Sequence, residues 1–236
     1  SSDLMLLAAG QCLAQSIDFD GTVRLIFQPA EEGFLGAKRM VEDGLFQRFP
    51  CDAVFALHNW PGLPVGCFGF LPGAFMASAD TVTIRINGRG GHGAMPHETA
   101  DPVVAAASLV MALQTVVARN LPPLDMGVVG IGSIHGGGSS TVVPTCVELA
   151  ITVRALKEAT RRLLLQRIEA LAHAQAAAFG TTAEVTVDAN AYPVLYNHPE
   201  ETDLARSVAL SWLGEDGVVP DMQPMTCSED FSFMLK

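Results

Sequence analysis

The chain has 236 residues, of which 49% are hydrophobic and 17% charged, so it is long and apolar enough to fold around a buried core. Its 25 acidic residues outnumber 14 lysines and arginines, which gives a net charge of −11, and no basic cluster is present. Nucleic acids and anionic membrane surfaces both attract positive charge, so we expect neither as a partner.

The five cysteines form no C-x-x-C pair. An odd number of unpaired thiols is typical of a reducing compartment, so the sequence predicts buried, free cysteines in a cytoplasmic protein.

The first part of the chain alternates helical and strand patterns. Helices are predicted at 4–15 and 36–46, and the mostly apolar segments 23–28 and 53–57 predict strands buried on both faces. Strand–helix–strand alternation favours an α/β domain with a parallel sheet.

Polar side chains follow both predicted strands. Glu31 and Glu32 come after the first, and His58 comes directly after the second. Ligands of open α/β sheets bind at the carboxyl ends of the strands, so we expect these side chains to meet at one edge. Carboxylate and imidazole groups are ligands for divalent metals, and a carboxylate can also move protons, so the pattern indicates a metal-assisted hydrolase.

From residue 77 the pattern changes to strands with one wet face. The predicted order is strand, helix, strand, strand, helix, strand, at 80–87, from 102, near 126–134, at 146–154, at 158–179 and at 183–187. This β-α-β-β-α-β order is the ferredoxin-like arrangement. The uncharged run 102–118 is about long enough to span a membrane, but Asp101 and Pro102 form a soluble helix start, so we predict a buried amphipathic helix.

The last part of the chain is predicted to return to the first domain. A helix near 203–213 and the segment 225–235 would pack beside residues 1–75. The predicted domains are therefore an α/β domain at 1–76 and 192–236, and an inserted domain at 77–191. Ser228, Glu229 and Asp230 could either support the site from behind its ligands or simply cap a helix.

Several motifs in order resemble the M20 metallopeptidases over nearly the whole chain. They are FQPAEEG with GAKRM, LHNWPGLPVG, and GRGGHGAMPH with DPVVAA. The chain is most similar to the amidohydrolase branch, which includes hippurate hydrolases, N-acyl-amino-acid amidohydrolases and auxin-conjugate hydrolases. The resemblance implies a catalytic α/β domain and an inserted lid and dimerisation domain, hence a homodimer.

The resemblance also implies roles for individual residues. Glu31 would be the general base, and Glu32 and His58 would hold metal, with two divalent ions per site (manganese, zinc, nickel or cobalt). His92 would stabilise the oxyanion in the partner subunit's site, and Arg154 would bind the substrate carboxylate. Thr141 stands where the family commonly has Asn, which weakens an oxyanion or substrate role there.

Two family motifs that supply further metal ligands have no match between Ser1 and Lys236. The resemblance thus predicts hydrolysis of N-acyl or N-aroyl amino acids, and two alternatives stay open. One is a dipeptidase or aminoacylase of the same superfamily. The other is a dimerising protein that keeps the fold and binds without catalysis.

Overall fold

The computed structural model describes residues 2–16 and 18–236, which form two compact units. Unit one comprises Ser1–Gly73, Leu195–Gln223 and Glu229–Lys236, and unit two comprises Ala74–Val194 and Pro224–Ser228. The fold is mixed α/β. The assignment of these parts to a catalytic domain and a lid or dimerisation domain stays a prediction.

The elements are numbered here in chain order. The helices are α1 (Ser2–Gln15), α2 (Glu31–Phe34), α3 (Gly36–Glu42), α4 (Leu45–Arg48), α5 (Pro102–Asn120), α6 (Glu158–Ala178) and α7 (Pro199–Leu213). The strands are β1 (Phe68–Gly69), β2 (Gly73–Met76), β3 (Ser78–Asn87), β4 (Gly91–His92), β5 (Gly127–Gly136), β6 (Val142–Val143), β7 (Cys146–Ala155), β8 (Thr182–Val187), β9 (Leu195–Asn197) and β10 (Val218–Val219). Short 3₁₀ turns occur at Pro96–Glu98, Glu215–Gly217 and Asp230–Phe233.

The two buried strands predicted in unit one are not strands. Segments 23–28 and 53–57 have no regular secondary structure and pair with no described strand, and Phe27 and Phe55 are 48% and 55% exposed. A strand needs hydrogen-bond partners beside it, and no described residue pairs with either segment, so apolar composition alone does not make a strand here. Among the described residues of unit one, β1 and β10 pair in parallel.

The helix predicted at 36–46 is interrupted. It is α3 followed by α4, and Gly44 between them has φ 89. A left-handed backbone at this position ends the first helix, and glycine adopts it without the Cβ clash that other residues incur.

Unit two contains a four-stranded antiparallel sheet in the order β5-β7-β3-β8. With α5 between β3 and β5, and α6 between β7 and β8, this is the predicted β-α-β-β-α-β order in ferredoxin-like arrangement. Buried and less buried residues alternate along β3, as period-two patterning requires. The buried side chains of the sheet pack against both helices in one hydrophobic core.

By length and composition alone, helix α5 could cross a membrane. In the structure Leu109, Leu113 and Val116 are buried in the core of unit two. Asp101 caps the helix by accepting a 2.8 Å hydrogen bond from the Val103 N–H. The helix is therefore a core element with a capped start, as its sequence predicts.

A buried ion pair in unit two was not predicted. Asp80 on β3 is 1% exposed, and both its carboxylate oxygens accept hydrogen bonds from Arg161 on α6, at 2.7 and 2.8 Å. The hydrogen bond to Asp80 raises the pKa of Arg161. This bidentate pair joins the sheet to α6.

All five cysteines are free, but the prediction that they are buried is wrong. Cys12, Cys51 and Cys227 are exposed, and Cys67 and Cys146 are half-buried. Cys12 and Cys51 lie in parts of unit one that few side chains cover, so the apolar preference of the thiol does not fix its position.

Candidate metal and hydrolytic site

Glu31 begins α2, a short helical turn of unit one whose backbone is non-helical at Glu32 and Gly33. Residues 30–35 therefore form a strained loop. Ala30 before it has φ 55, and Leu35 after it has φ 54, a left-handed conformation that costs a non-glycine residue about 1–2 kcal/mol. The loop closes where the Gly36 N–H donates to the Ala30 carbonyl at 3.3 Å. A Cβ on Gly36 would lie 1.6 Å from the Pro29 carbonyl oxygen, so this closure requires glycine.

Three carboxyl groups meet beside this loop. Oxygens of Glu31, Glu229 and Asp230 all lie within 4.8 Å of one another. Burial is the main cause that raises the pKa of all three groups. The negative charges of Asp230 and Glu32 raise the pKa of Glu31 further, whereas His58 lowers it. The cluster is therefore an environment that a bound cation would stabilise.

His58 presents one ring nitrogen to this cluster. Its Nδ1 lies 2.6 Å from the carbonyl oxygen of Asn59, and a carbonyl can only accept, so Nδ1 carries the proton. The lone pair of neutral His58 is therefore on Nε2, which lies 3.7 Å from a carboxylate oxygen of Glu229. A backbone bond that fixes the tautomer in this way is common for histidines that bind metals.

The donor set fits a divalent metal. It combines carboxylate oxygens with an imidazole nitrogen whose lone pair is available, in a partly buried acidic cluster. Glu32 is exposed and is not a member of the three-carboxylate group, although its charge acts on Glu31. The structure thus brings together Glu31 and His58 among the predicted residues, with Glu229 and Asp230 beside them.

Glu229 both caps a turn and faces the site. Its carboxylate accepts a 3.2 Å hydrogen bond from the Phe231 N–H at the start of the 3₁₀ turn Asp230–Phe233. The sequence left site support and helix capping as alternatives, and the geometry combines them. Gln28, which contacts Asp230, was missed; the only signal was a polar residue at the end of an apolar run.

His92 and Thr141 lie together in unit two. His92 on β4 pairs with Val142 on β6, and the Gly93 N–H donates to the Thr141 carbonyl at 2.7 Å. His92 Nδ1 accepts a 3.1 Å bond from the Ala94 N–H. Neutral His92 therefore carries its proton on Nε2, and the residue is exposed.

Arg154 lines a different part of unit two. Its Nε donates to Thr152 Oγ1 at 3.2 Å, and one terminal nitrogen donates to Ser228 Oγ at 3.0 Å. It borders an open surface depression of about 480 Å³ together with Val128, Thr226 and Cys227. Two hydroxyls fix the guanidinium and leave further N–H donors for an anion.

Comparison with known protein families identifies the family of this chain. Residues 3–236 match the family described as "Peptidase family M20/M25/M40". The chain belongs to this family. The resemblance read from its motifs is thereby confirmed.

Relatives of this M20 chain are longer than the chain itself. It is 41% identical to hippurate hydrolase of Campylobacter jejuni over 229 residues, which cover 97% of this chain and 59% of that protein. It is 38% identical to N-acetyl-L-cysteine deacetylase of Bacillus subtilis over 232 residues, or 98% and 54% of the two chains. The M20 chain thus spans less than two thirds of these relatives.

A solved structure has the same fold. The YXEP protein of Bacillus subtilis, described as a dinuclear metal binding peptidase from the M20 family, matches with a TM-score of 0.78 and 30% identity. The match covers 97% of this M20 chain and 57% of that one.

Proposed function

We propose that this protein is a metal-dependent amidohydrolase that cleaves the amide bond of N-acyl or N-aroyl amino acids. The observation that carries the proposal is the convergence of Glu31, the Nε2 lone pair of His58, and Glu229 with Asp230. The names of the two longer relatives support the substrate class, because hippurate is benzoylglycine and the other substrate is an N-acetyl amino acid.

In this proposal Glu32 and His58 hold divalent metal, two ions per site, and manganese, zinc, nickel and cobalt all suit such donors. The name of the YXEP relative supports a dinuclear site. A bound divalent ion polarises the scissile carbonyl and lowers the pKa of water. Glu31 takes a proton from the attacking water and gives it to the leaving amine.

Unit two supplies the remaining groups of the proposal. His92 donates its Nε2–H to the developing oxyanion in the partner subunit's site, a role that its fixed tautomer supports. Arg154 binds the substrate carboxylate, and Thr141, beside His92, contacts the substrate. The protein is then a homodimer through unit two, and its five free thiols support a cytoplasmic location.

Two neighbouring substitutions in the protein as encoded test the site. Glu31→Gln removes the base and leaves the ligands, so kcat for benzoylglycine or an N-acetyl amino acid should fall roughly 10²–10⁴-fold with metal content unchanged. Glu32→Gln should instead lower the metal content measured by mass spectrometry of the purified protein. Glu42→Gln is the matched control, because Glu42 is exposed and pairs with Lys38 at 3.8 Å.

Activity and metal content distinguish the two site variants. A Glu31→Gln protein with more than half of the wild-type activity would end the assignment of the base. Equal metal content in Glu32→Gln and Glu42→Gln proteins would remove Glu32 from the ligands.

A further inference from the structure

Arg154 lies on the face of the unit-two sheet that points away from the helices. The residues of β7 that pack in the hydrophobic core are Val147, Leu149, Ile151 and Val153. Because side chains alternate along a strand, Thr152 and Arg154 lie on the opposite face. There the Arg154 Nε donates to Thr152 Oγ1 at 3.2 Å, so the strand itself fixes one side of the guanidinium.

Ser228 reaches the guanidinium from a separate segment of unit two. The Ala77 N–H, just after β2, donates to the carbonyl oxygens of Met225 and Cys227 at 3.1 and 2.8 Å. This attachment holds the next residue, Ser228, beside Arg154, and a terminal nitrogen of Arg154 donates to Ser228 Oγ at 3.0 Å. Two anchored acceptors therefore fix the orientation of the guanidinium. We call Thr152 and Ser228 the hydroxyl pair.

Both acceptors are neutral, so they orient Arg154 without cancelling its charge. Among the described residues Arg154 forms no ion pair with an acidic side chain. Arg161 in the same unit differs, because it gives two donors to the Asp80 carboxylate. A hydroxyl that accepts a hydrogen bond also keeps its own proton for a further acceptor. The hydroxyl pair thus adds two O–H donors beside an uncompensated positive charge.

This set of donors suits a carboxylate better than an amide. A guanidinium presents its N–H donors in one plane, and the two oxygens of a carboxylate accept from them side by side. A primary amide has one oxygen and an NH₂ group, which would face donors and leave them unpaired. The surface depression bordered by Arg154 and the hydroxyl pair therefore favours a ligand with a negative charge.

We infer that the hydroxyl pair positions Arg154 and makes the site selective for N-acyl amino acids with a free carboxylate over their amides. The inference rests on the function proposed above for Arg154. Ser228 is then a positioning residue that acts on the carboxylate of the substrate and not on the scissile bond. Its loss should weaken binding of the acid and leave the rate of the bound substrate nearly unchanged.

Paired substrates in the protein as encoded test the role of Ser228. Ser228→Ala should raise KM for benzoylglycine about tenfold, with kcat within about twofold of wild type, because a hydrogen bond to a charged group is lost. Hydrolysis of benzoylglycinamide should stay unchanged, since this compound has no carboxylate. Ser228→Thr keeps the hydroxyl and should retain the preference for the acid. Ser207→Ala is the matched control, because Ser207 is exposed on α7 and donates to the Leu204 carbonyl at 2.7 Å.

A charged acceptor at the same position separates orientation from charge. In Ser228→Asp the new carboxylate can still accept from Arg154, but it cancels the guanidinium charge and repels the carboxylate of the substrate. We therefore expect benzoylglycine to bind more weakly to Ser228→Asp than to Ser228→Ala. If Ser228 served only as a hydrogen-bond acceptor for Arg154, Ser228→Asp would bind benzoylglycine as tightly as the wild type does.

Binding to the metal-free protein gives a readout that needs no activity. In NMR spectra the Arg154 Nε–H signal should shift with benzoylglycine and not with benzoylglycinamide. Kd for benzoylglycine should be lowest in the wild type and Ser228→Thr, higher in Ser228→Ala, and highest in Ser228→Asp. If the wild type binds benzoylglycine in this way but hydrolyses no N-acyl amino acid, the proposed function fails and the inference about Ser228 stands.

Three results would overturn the inference. The first is a wild-type protein that binds benzoylglycine and benzoylglycinamide equally well. The second is a Ser228→Ala protein that matches Ser207→Ala in KM and Kd for benzoylglycine, and the third is a Ser228→Asp protein that binds benzoylglycine as tightly as the wild type. If Ser228→Ala does not fold, Thr152→Val removes the other hydroxyl and keeps the side-chain shape. An unchanged preference for the acid in Thr152→Val would equally refute the inference.

Discussion

Removing Arg161 should destabilise unit two strongly. Arg161→Met leaves the Asp80 carboxylate buried, with its side chain 0% exposed, and without the two bonds at 2.7 and 2.8 Å. Loss of one partner of a buried pair costs about 3–5 kcal/mol, because the remaining charge is uncompensated. For a chain of this size each kcal/mol lowers Tm by about 2–4 °C, so we expect a decrease of roughly 6–20 °C.

The assay should follow unit two directly. Because the chain has two compact units, a single melting curve can combine two transitions. Hydrogen exchange of the β3 and β7 amides in urea isolates the sheet that Asp80 belongs to. Arg162→Met is the matched control, since Arg162 is the exposed neighbour on the same helix and should change stability by less than about 0.5 kcal/mol.

A double variant separates the pair from its parts. Replacing both charges by apolar residues, in Asp80→Leu with Arg161→Met, removes the isolated buried charge, so stability should recover relative to Arg161→Met alone. The Asp80–Arg161 pair does not hold α6 to the sheet if Arg161→Met lowers the free energy of unfolding of unit two by less than about 1 kcal/mol. The same conclusion follows if Arg161→Met lowers it no more than Arg162→Met does.

Two further predictions concern the proposed site. Mixing Glu31→Gln chains with His92→Ala chains should restore activity, because each heterodimer then has one site with neither defect. If subunit exchange is verified and activity does not recover, His92 acts in the site of its own chain or takes no part in the reaction. Residues 1–236 supply only Glu32 and His58 of the predicted ligands, so this chain should retain less than one equivalent of metal after dialysis. A stoichiometric metal pair retained by these residues would show that the ligands are misassigned.

Unit two was predictable because its patterns are local. Alternation at Val82, Ile84 and Ile86 indicates one buried sheet face, and Asp101 before Pro102 marks a helix start that the structure has. These signals act within a few residues, and the core that forms from them agrees with each one.

Unit one was less predictable because its contacts are distant. An apolar run such as 23–28 predicts a strand only if a neighbour provides hydrogen bonds, which the run itself does not encode. The contact between Gln28 and Asp230 joins residues 202 positions apart, and no periodicity connects them. The motif positions led to Glu31 and His58 as neighbours. For Glu229 the sequence left site support and helix capping open, because its place beside His58 depends on tertiary structure.

Segments 23–28 and 53–57 of unit one favour association between copies of this chain. Each combines β-branched or aromatic residues with exposed side chains, as at Phe27 and Phe55, and neither pairs with a strand among the described residues. Such segments are templates for pairing with another molecule, so the chain should self-associate through intermolecular β-structure as its concentration rises. The net charge of −11 opposes this at low salt, and added salt should screen that repulsion and promote association. Placing a lysine at position 25 or 55 should raise the concentration at which thioflavin-positive aggregates form.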